Sequence, residues 1–196
     1  MDRRRIRLRP TLVARRGFTL AEVIVSLILI AALGAVLVPQ VVQRLRDGQA
    51  AAIANNLNGI RTALLEYRKA IGRYPSQLAY LATQPTPGAT DLCARNVPID
   101  WSAMWRGPYL QQAIGASGVS VRDATILNAL RREPATIPLG LLANLFIDVT
   151  SVDQDVAEII ERSFDPTVDF AAGTIRWVAT GGGQGTLSLV MPVRGC

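Results

Sequence analysis

Apolar and polar positions change rhythm twice along this chain, and each rhythm predicts a different element. From Phe18 to Val38 the sequence is apolar except at Thr19, Glu22 and Ser26. As a helix this run has no polar face, and its 21 residues would reach about 31 Å, enough to cross the hydrocarbon core of a bilayer. Beyond Pro39 the pattern becomes one-sided. Ile53, Leu57, Ile60, Leu64, Tyr67 and Ile71 alternate spacings of four and three, which is one apolar stripe on an amphipathic helix. Gln49, Asn55, Asn56, Arg61 and Arg68 lie largely off the stripe. Gly48 and Gly59 each weaken the helix by about 1 kcal/mol relative to alanine. Residues 18–71 therefore predict one helix of 54 residues, about 80 Å long. Its first half would be bare and its second half would lie under a globular body.

Gly72-Arg73-Tyr74-Pro75 stops that helix, with glycine at the C-terminal end and proline soon after. Ser76 predicts an N-cap for a short helix over Gln77–Ala82, and Gln84-Pro85-Thr86-Pro87-Gly88 opens an irregular region to about Val119. Asp123–Arg132 reads as a short helix stopped by Pro134. Leu141–Val149 is an apolar run of either strand or buried-helix type, and periodicity alone does not choose between them. Asp153–Ser163 reads as a helix capped by Ser151 or Asp153, with Val156, Ile159 and Ile160 inward. Thr174–Thr180 and Thr186–Val193 alternate as two strands. The glycine run from Gly181 to Gly185 between them lacks the Gly-Lys-Ser/Thr and following helix of a phosphate loop, so it reads as a hairpin loop. The fold class expected is α+β: a long N-terminal spine helix packed against a small antiparallel β-sheet head. The divisions expected are a leader at 1–17, a membrane-spanning half-helix at 18–39, a soluble half-helix at 40–71 and a head at 72–196.

Charge changes the picture only at the N-terminus. The whole chain is +6, but residues 1–17 hold seven arginines against Asp2, and residues 18–196 carry 14 bases and 14 acids. A neutral body has no electrostatic footprint for a polyanion, so nucleic acid is not an expected partner. The arginines lie on one side of the apolar run, which places them in the cytoplasm and the body outside it.

The candidate chemistry is sparse. The chain has no histidine, which removes Ser-His-Asp and Cys-His catalysis and most transition-metal sites. No GxSxG or phosphate loop is present, so an enzyme is not expected, and no cofactor is either. Asp148, Asp153 and Asp155 could be read as calcium ligands, but capping and first-turn dipole effects account for the last two, and no metal is expected. Trp101, Trp105 and Tyr109 read as core aromatics of the head. The two cysteines, Cys93 and Cys196, are too far apart for a metal-type pair. In an exported protein they would form one disulfide, worth up to about 4.7 kcal/mol for a loop of this length in the chain-entropy model. In a cytosolic one they would be separate thiols.

Three readings fit the N-terminal segment: an uncleaved anchor, a secretory signal cut near Ala32-Leu33-Gly34, and a leader cut between Gly17 and Phe18 that leaves the apolar run in place. Glu22 separates them. An acid at the bilayer centre costs about 2.5–3.5 kcal/mol and normally has a partner. An anchor or a discarded signal gains nothing from it. Cleavage before Phe18, however, puts a new α-amino group one helical turn away, able to pair with the Glu22 of a neighbouring subunit.

Arg16-Gly17-Phe18-Thr19-Leu20-Ala21-Glu22 followed by an apolar run closely resembles the processing site of type IV pilins and type II secretion pseudopilins. The resemblance implies cleavage after Gly17 by a prepilin peptidase, N-methylation of Phe18, and insertion into a helical filament directed by Glu22. It also implies passage through the inner membrane and its assembly platform, with self and other pilin-like subunits as partners. Pro39 matches the family's proline at that distance into the mature helix, and a kink or melted turn is expected there. Gly72-Arg73-Tyr74-Pro75 and Trp105-Arg106-Gly107-Pro108-Tyr109-Leu110 look like segments of major pseudopilins, but the calcium loop and DPWG-like sequence expected after them are absent. A C-terminal staple such as Cys93–Cys196 is commoner in pilins. The function expected first is a structural subunit of a type IV pilus-like envelope filament, with a type II secretion pseudopilin or a tip-located minor pilin acting as a binding module as the alternatives.

Overall fold

The computed structural model describes residues 17–96, 101–133 and 143–194. Its compact packing divides the chain into Met1–Val42 and Gln43–Cys196. A single helix, α1 (Leu20–Ile71), runs through both. It is unbroken at Pro39, so no turn is melted there. Proline removes one backbone donor, and the helix continues through that loss into Gln40–Gln49. Gly72 ends α1 in the left-handed region at φ 81°, its N–H donating to the Arg68 carbonyl, so the stop predicted at Gly72 is the one found.

The second half of α1 lies under the head. All six stripe residues are buried, joined by Ala50 and Ala63. They pack on one face of a six-stranded antiparallel sheet ordered β1-β2-β4-β6-β5, with β3 also pairing β4. The strands are β1 (Gly118–Val121), β2 (Ala124–Leu127), β3 (Arg131–Glu133), β4 (Ala143–Asp153), β5 (Ile175–Gly181) and β6 (Gln184–Val193). β4 and β6 form the centre, and Leu145, Ile147 and Val149 alternate with Asn144, Phe146 and Asp148 across the two faces. The apolar run at Leu141–Val149 is thus strand over its described part. The hairpin predicted at the glycine run forms between β5 and β6, where Gly182 and Gly183 take φ of 64° and 81°. Two positive φ values are what a two-residue hairpin turn needs, and glycine adopts them at least cost.

Among the described residues, three further helices complete the head: α2 (Ala79–Ala82), α3 (Trp101–Met104) and α4 (Gln154–Phe164). α4 buries Val156 and Ile160 as expected, with Ile159 half-buried. Trp101 is buried, and Trp105 and Tyr109 pack at the edge of the core. Tyr67 meets Trp101 and Tyr109 edge-on at 6.3 and 5.6 Å between ring centres.

Several local expectations were overturned. Asp123–Arg132 is not a helix. Asp123 lies in the turn after β1, residues 124–127 form β2, and Arg131 and Arg132 begin β3. Its Ala, Leu and Arg content favours helix locally, but two open stretches of the β4 edge offer ladders to Thr125–Ile126 and Arg131–Glu133, and tertiary pairing wins. The predicted cap at Ser76 also fails. Its hydroxyl donates to the Thr90 carbonyl, and the first N–H of α2, at Ala79, is taken by Asn128 Oδ1 at 2.9 Å. Asp153 occupies the N-cap position of α4 without a side-chain cap bond, and Ser151 sits in a bulge of β4 at φ 61°.

Candidate functional site

The candidate site is the start of α1. Gly17 and Phe18 precede the helix and are exposed, Phe18 by 83%. Thr19 caps the helix: its Oγ1 accepts the Glu22 N–H at 3.3 Å, and its carbonyl accepts from Glu22 and Val23. Thr19-Leu20-Ala21-Glu22 has the spacing of a capping box, a signal that sequence reasoning passed over. Glu22 stands in the first turn, where a carboxylate is favoured by the N-terminal helix dipole. Its carboxylate makes no ion pair or hydrogen bond among the described residues, and it is exposed. Ser26 returns its hydroxyl to the Glu22 carbonyl at 2.8 Å, which removes its own polarity from the surface.

Around and beyond Glu22 the helix is apolar and exposed. Val23, Ile24, Leu27, Ile28, Leu33, Val36 and their neighbours carry this exposure through Val38, and Val41, Val42 and Leu45 extend it. By length and composition α1 can cross a membrane. An apolar helix with no buried side demands a lipid or protein environment, since exposed apolar patches beyond a few hundred Å² mark an interaction surface. Pro39 lies within this exposed stretch.

The head shows structural roles for its conspicuous polar groups. Asp148 receives Arg131 at two points, 3.1 and 3.2 Å, and the Ser188 hydroxyl at 2.6 Å. That hydrogen bond to Asp148 holds the Arg131 guanidinium above its usual pKa, against the opposing effect of burial. Arg131 also pairs with Glu133 and lies 4.3 Å above the Phe146 ring. Asp155 pairs with Arg46 of α1. The aspartates at 148, 153 and 155 are thus spread over a strand face and a helix start, and no cluster of three or more potential metal ligands occurs among the described residues.

Among the described residues, Tyr67 is the strongly perturbed group of the core. Burial raises its phenol above the usual range, with Tyr109, Tyr80 and Asp91 adding to the effect, and its hydroxyl has no hydrogen-bond partner among the described residues. Its ring packs against Trp101 and Tyr109 within the core. Cys93 is disulfide-bonded. Cys196, the other cysteine of the sequence, lies outside the described residues, as do all seven arginines of the basic segment.

Comparison of the chain with protein-family models, with characterised proteins and with solved structures gives no match. The long apolar helix and small antiparallel sheet stand on their own as an α+β layout.

Proposed function

We propose that this chain is a structural subunit of a type IV pilus-like envelope filament, processed after Gly17 and assembled through its N-terminal helix. The observation that carries the proposal is the junction at Gly17–Glu22. An exposed glycine precedes a capped helix whose first acid, Glu22, lies in the first turn, without an ion pair or hydrogen bond among the described residues, at the head of an apolar segment with no buried face. Cleavage there would create an amine to pair with a neighbour's Glu22, and stacking of such helices would cover the exposed apolar surface. Each acid would then be neutralised inside the assembly rather than left uncompensated at depth. Before assembly the same segment would hold the subunit in the bacterial inner membrane with its head outside the cytoplasm.

Trp105–Leu110 and Gly72–Pro75 favour a second reading within the same class, a pseudopilin of a type II secretion system. The disulfide at Cys93 favours the pilus reading, and a tip-located minor subunit that binds a surface fits the same N-terminus.

N-terminal sequencing with intact-mass measurement on protein from its native envelope tests the class. The expected chain starts at Phe18 with one added methyl group; a start near Ala35, or an intact Met1, would refute it. Glu22→Ala is expected to leave membrane insertion and cleavage largely unchanged and to abolish recovery in sheared filaments. Normal recovery of that variant would reduce Glu22 to a helix-start charge.

A further inference from the structure

The turn that carries Cys93 is assembled by a buried carboxylate to which no sequence pattern pointed. Asp91 is 1% exposed. Its Oδ1 accepts the backbone N–H groups of Cys93 and Arg95, each at 2.9 Å. Its Oδ2 accepts from Arg95 Nε at 2.9 Å and from Arg73 Nη1 at 3.4 Å. Its own N–H donates to the Arg95 carbonyl, and Ala94 closes the turn in the left-handed region at φ 58°. An aspartate whose side chain bonds the backbone two residues on is the usual builder of such a turn.

The same turn is fastened to the rest of the head without sulfur. Leu92 N–H donates to the Tyr74 carbonyl, and Asp91 forms a bridge with Pro75 just after the end of α1. Arg73, which reaches Asp91, also lies 5.9 Å above the ring of the buried Trp101. Bonds between ionised partners are the stronger kind, and a buried carboxylate with four donors fixes the groups around it.

We propose that Asp91 is a positioning residue for the disulfide, building the Cys93 turn while the thiol is still reduced. Oxidation then joins a second cysteine to a sulfur whose backbone is already ordered. In that step two thiols lose two protons and two electrons, and a disulfide-bearing oxidant accepts them and leaves as two thiols. Because the ordering entropy of the turn is lost on folding rather than on bond formation, the effective concentration of the pair rises. Oδ1 sets the turn, and the charge at Oδ2 only supports it. Asparagine, which keeps an Oδ1 acceptor, therefore substitutes where alanine does not. This inference is independent of the filament reading.

The test uses the full chain in detergent micelles, equilibrated in glutathione redox buffers, with the disulfide fraction read by thiol alkylation and mass measurement. Asp91→Ala is expected to lower the effective concentration about tenfold or more, and Asp91→Asn to stay within about threefold of the parent. Alanine within that threefold range overturns the proposal, and so does asparagine as low as alanine. Amide hydrogen exchange on the parent chain reduced with dithiothreitol gives an answer even if Asp91→Ala does not fold. The Cys93 and Arg95 amides are expected to stay protected; exchange at free-peptide rates would overturn the proposal.

Discussion

From Leu20 to Val42 every residue of α1 is exposed except Gly34, which is half-buried, whereas from Ala50 to Ile71 eight residues are buried in a single stripe. Both stretches are α-helix, and both are rich in aliphatic side chains. The difference is how polarity is distributed around the axis. The first stretch has almost none and so offers no orientation to a neighbouring element of its own chain. In the second, asparagines and charged residues oppose the stripe, and the head has one face to cover. A helix with an all-round apolar surface must find its partners outside the subunit, while an amphipathic one can find them within it.

That contrast can be broken at the packed end first. Leu64 is fully buried and Ile28 is 62% exposed. Leu64→Ala is expected to lower head stability by about 2–5 kcal/mol, read by urea unfolding of the chain in micelles. Ile28→Ala should leave the same transition within about 0.5 kcal/mol. Equal effects would show that the two halves share one cooperative unit.

Tyr67 sharpens the comparison by about 1 kcal/mol, because it carries a desolvated hydroxyl in the otherwise apolar stripe. Tyr67→Phe is expected to stabilise the head by about that amount. The pH dependence follows from the direction of the shift. The folded-state phenol titrates above its ordinary value of 10.0, so the stabilisation linked to the neutral form is complete below that value. It falls as pH rises through 10 toward the folded pKa. Parent stability should decline across this alkaline window, and the Phe variant should decline less. Parallel declines would assign the loss to other groups.

The smallest effect compares two glycines of α1. Gly34 and Gly59 both have open space where a Cβ would stand, and neither has positive φ. Gly59→Ala should raise the unfolding midpoint of the head through a gain of about 0.5–1 kcal/mol, whereas Gly34→Ala should not move it. A fall at Gly59 would mean that the surface it lines between Asn55 and Ile114 needs the missing side chain.

Wherever a pattern is local and periodic, the sequence alone determined the outcome. The apolar run and the four-three stripe specify α1, Gly72 specifies its end, and the glycine run specifies the β5–β6 turn. Each depends on neighbours within a few residues along the chain. What the tertiary structure decided depends on distant partners. Asp123–Arg132 became a turn and strand because β4 presented free edges to it. Asn128, not Ser76, satisfies the start of α2 across a separation of 49 residues. Asp91 reads as one more loop aspartate until Arg73 and Arg95 converge on it. Local propensities differ by only about 1 kcal/mol per residue, so ladders, caps and buried ion pairs formed across the fold override them. The Gly17–Glu22 junction is the opposite case. Its residues were legible because their pattern is local, and among the described residues nothing pairs with the Glu22 carboxylate.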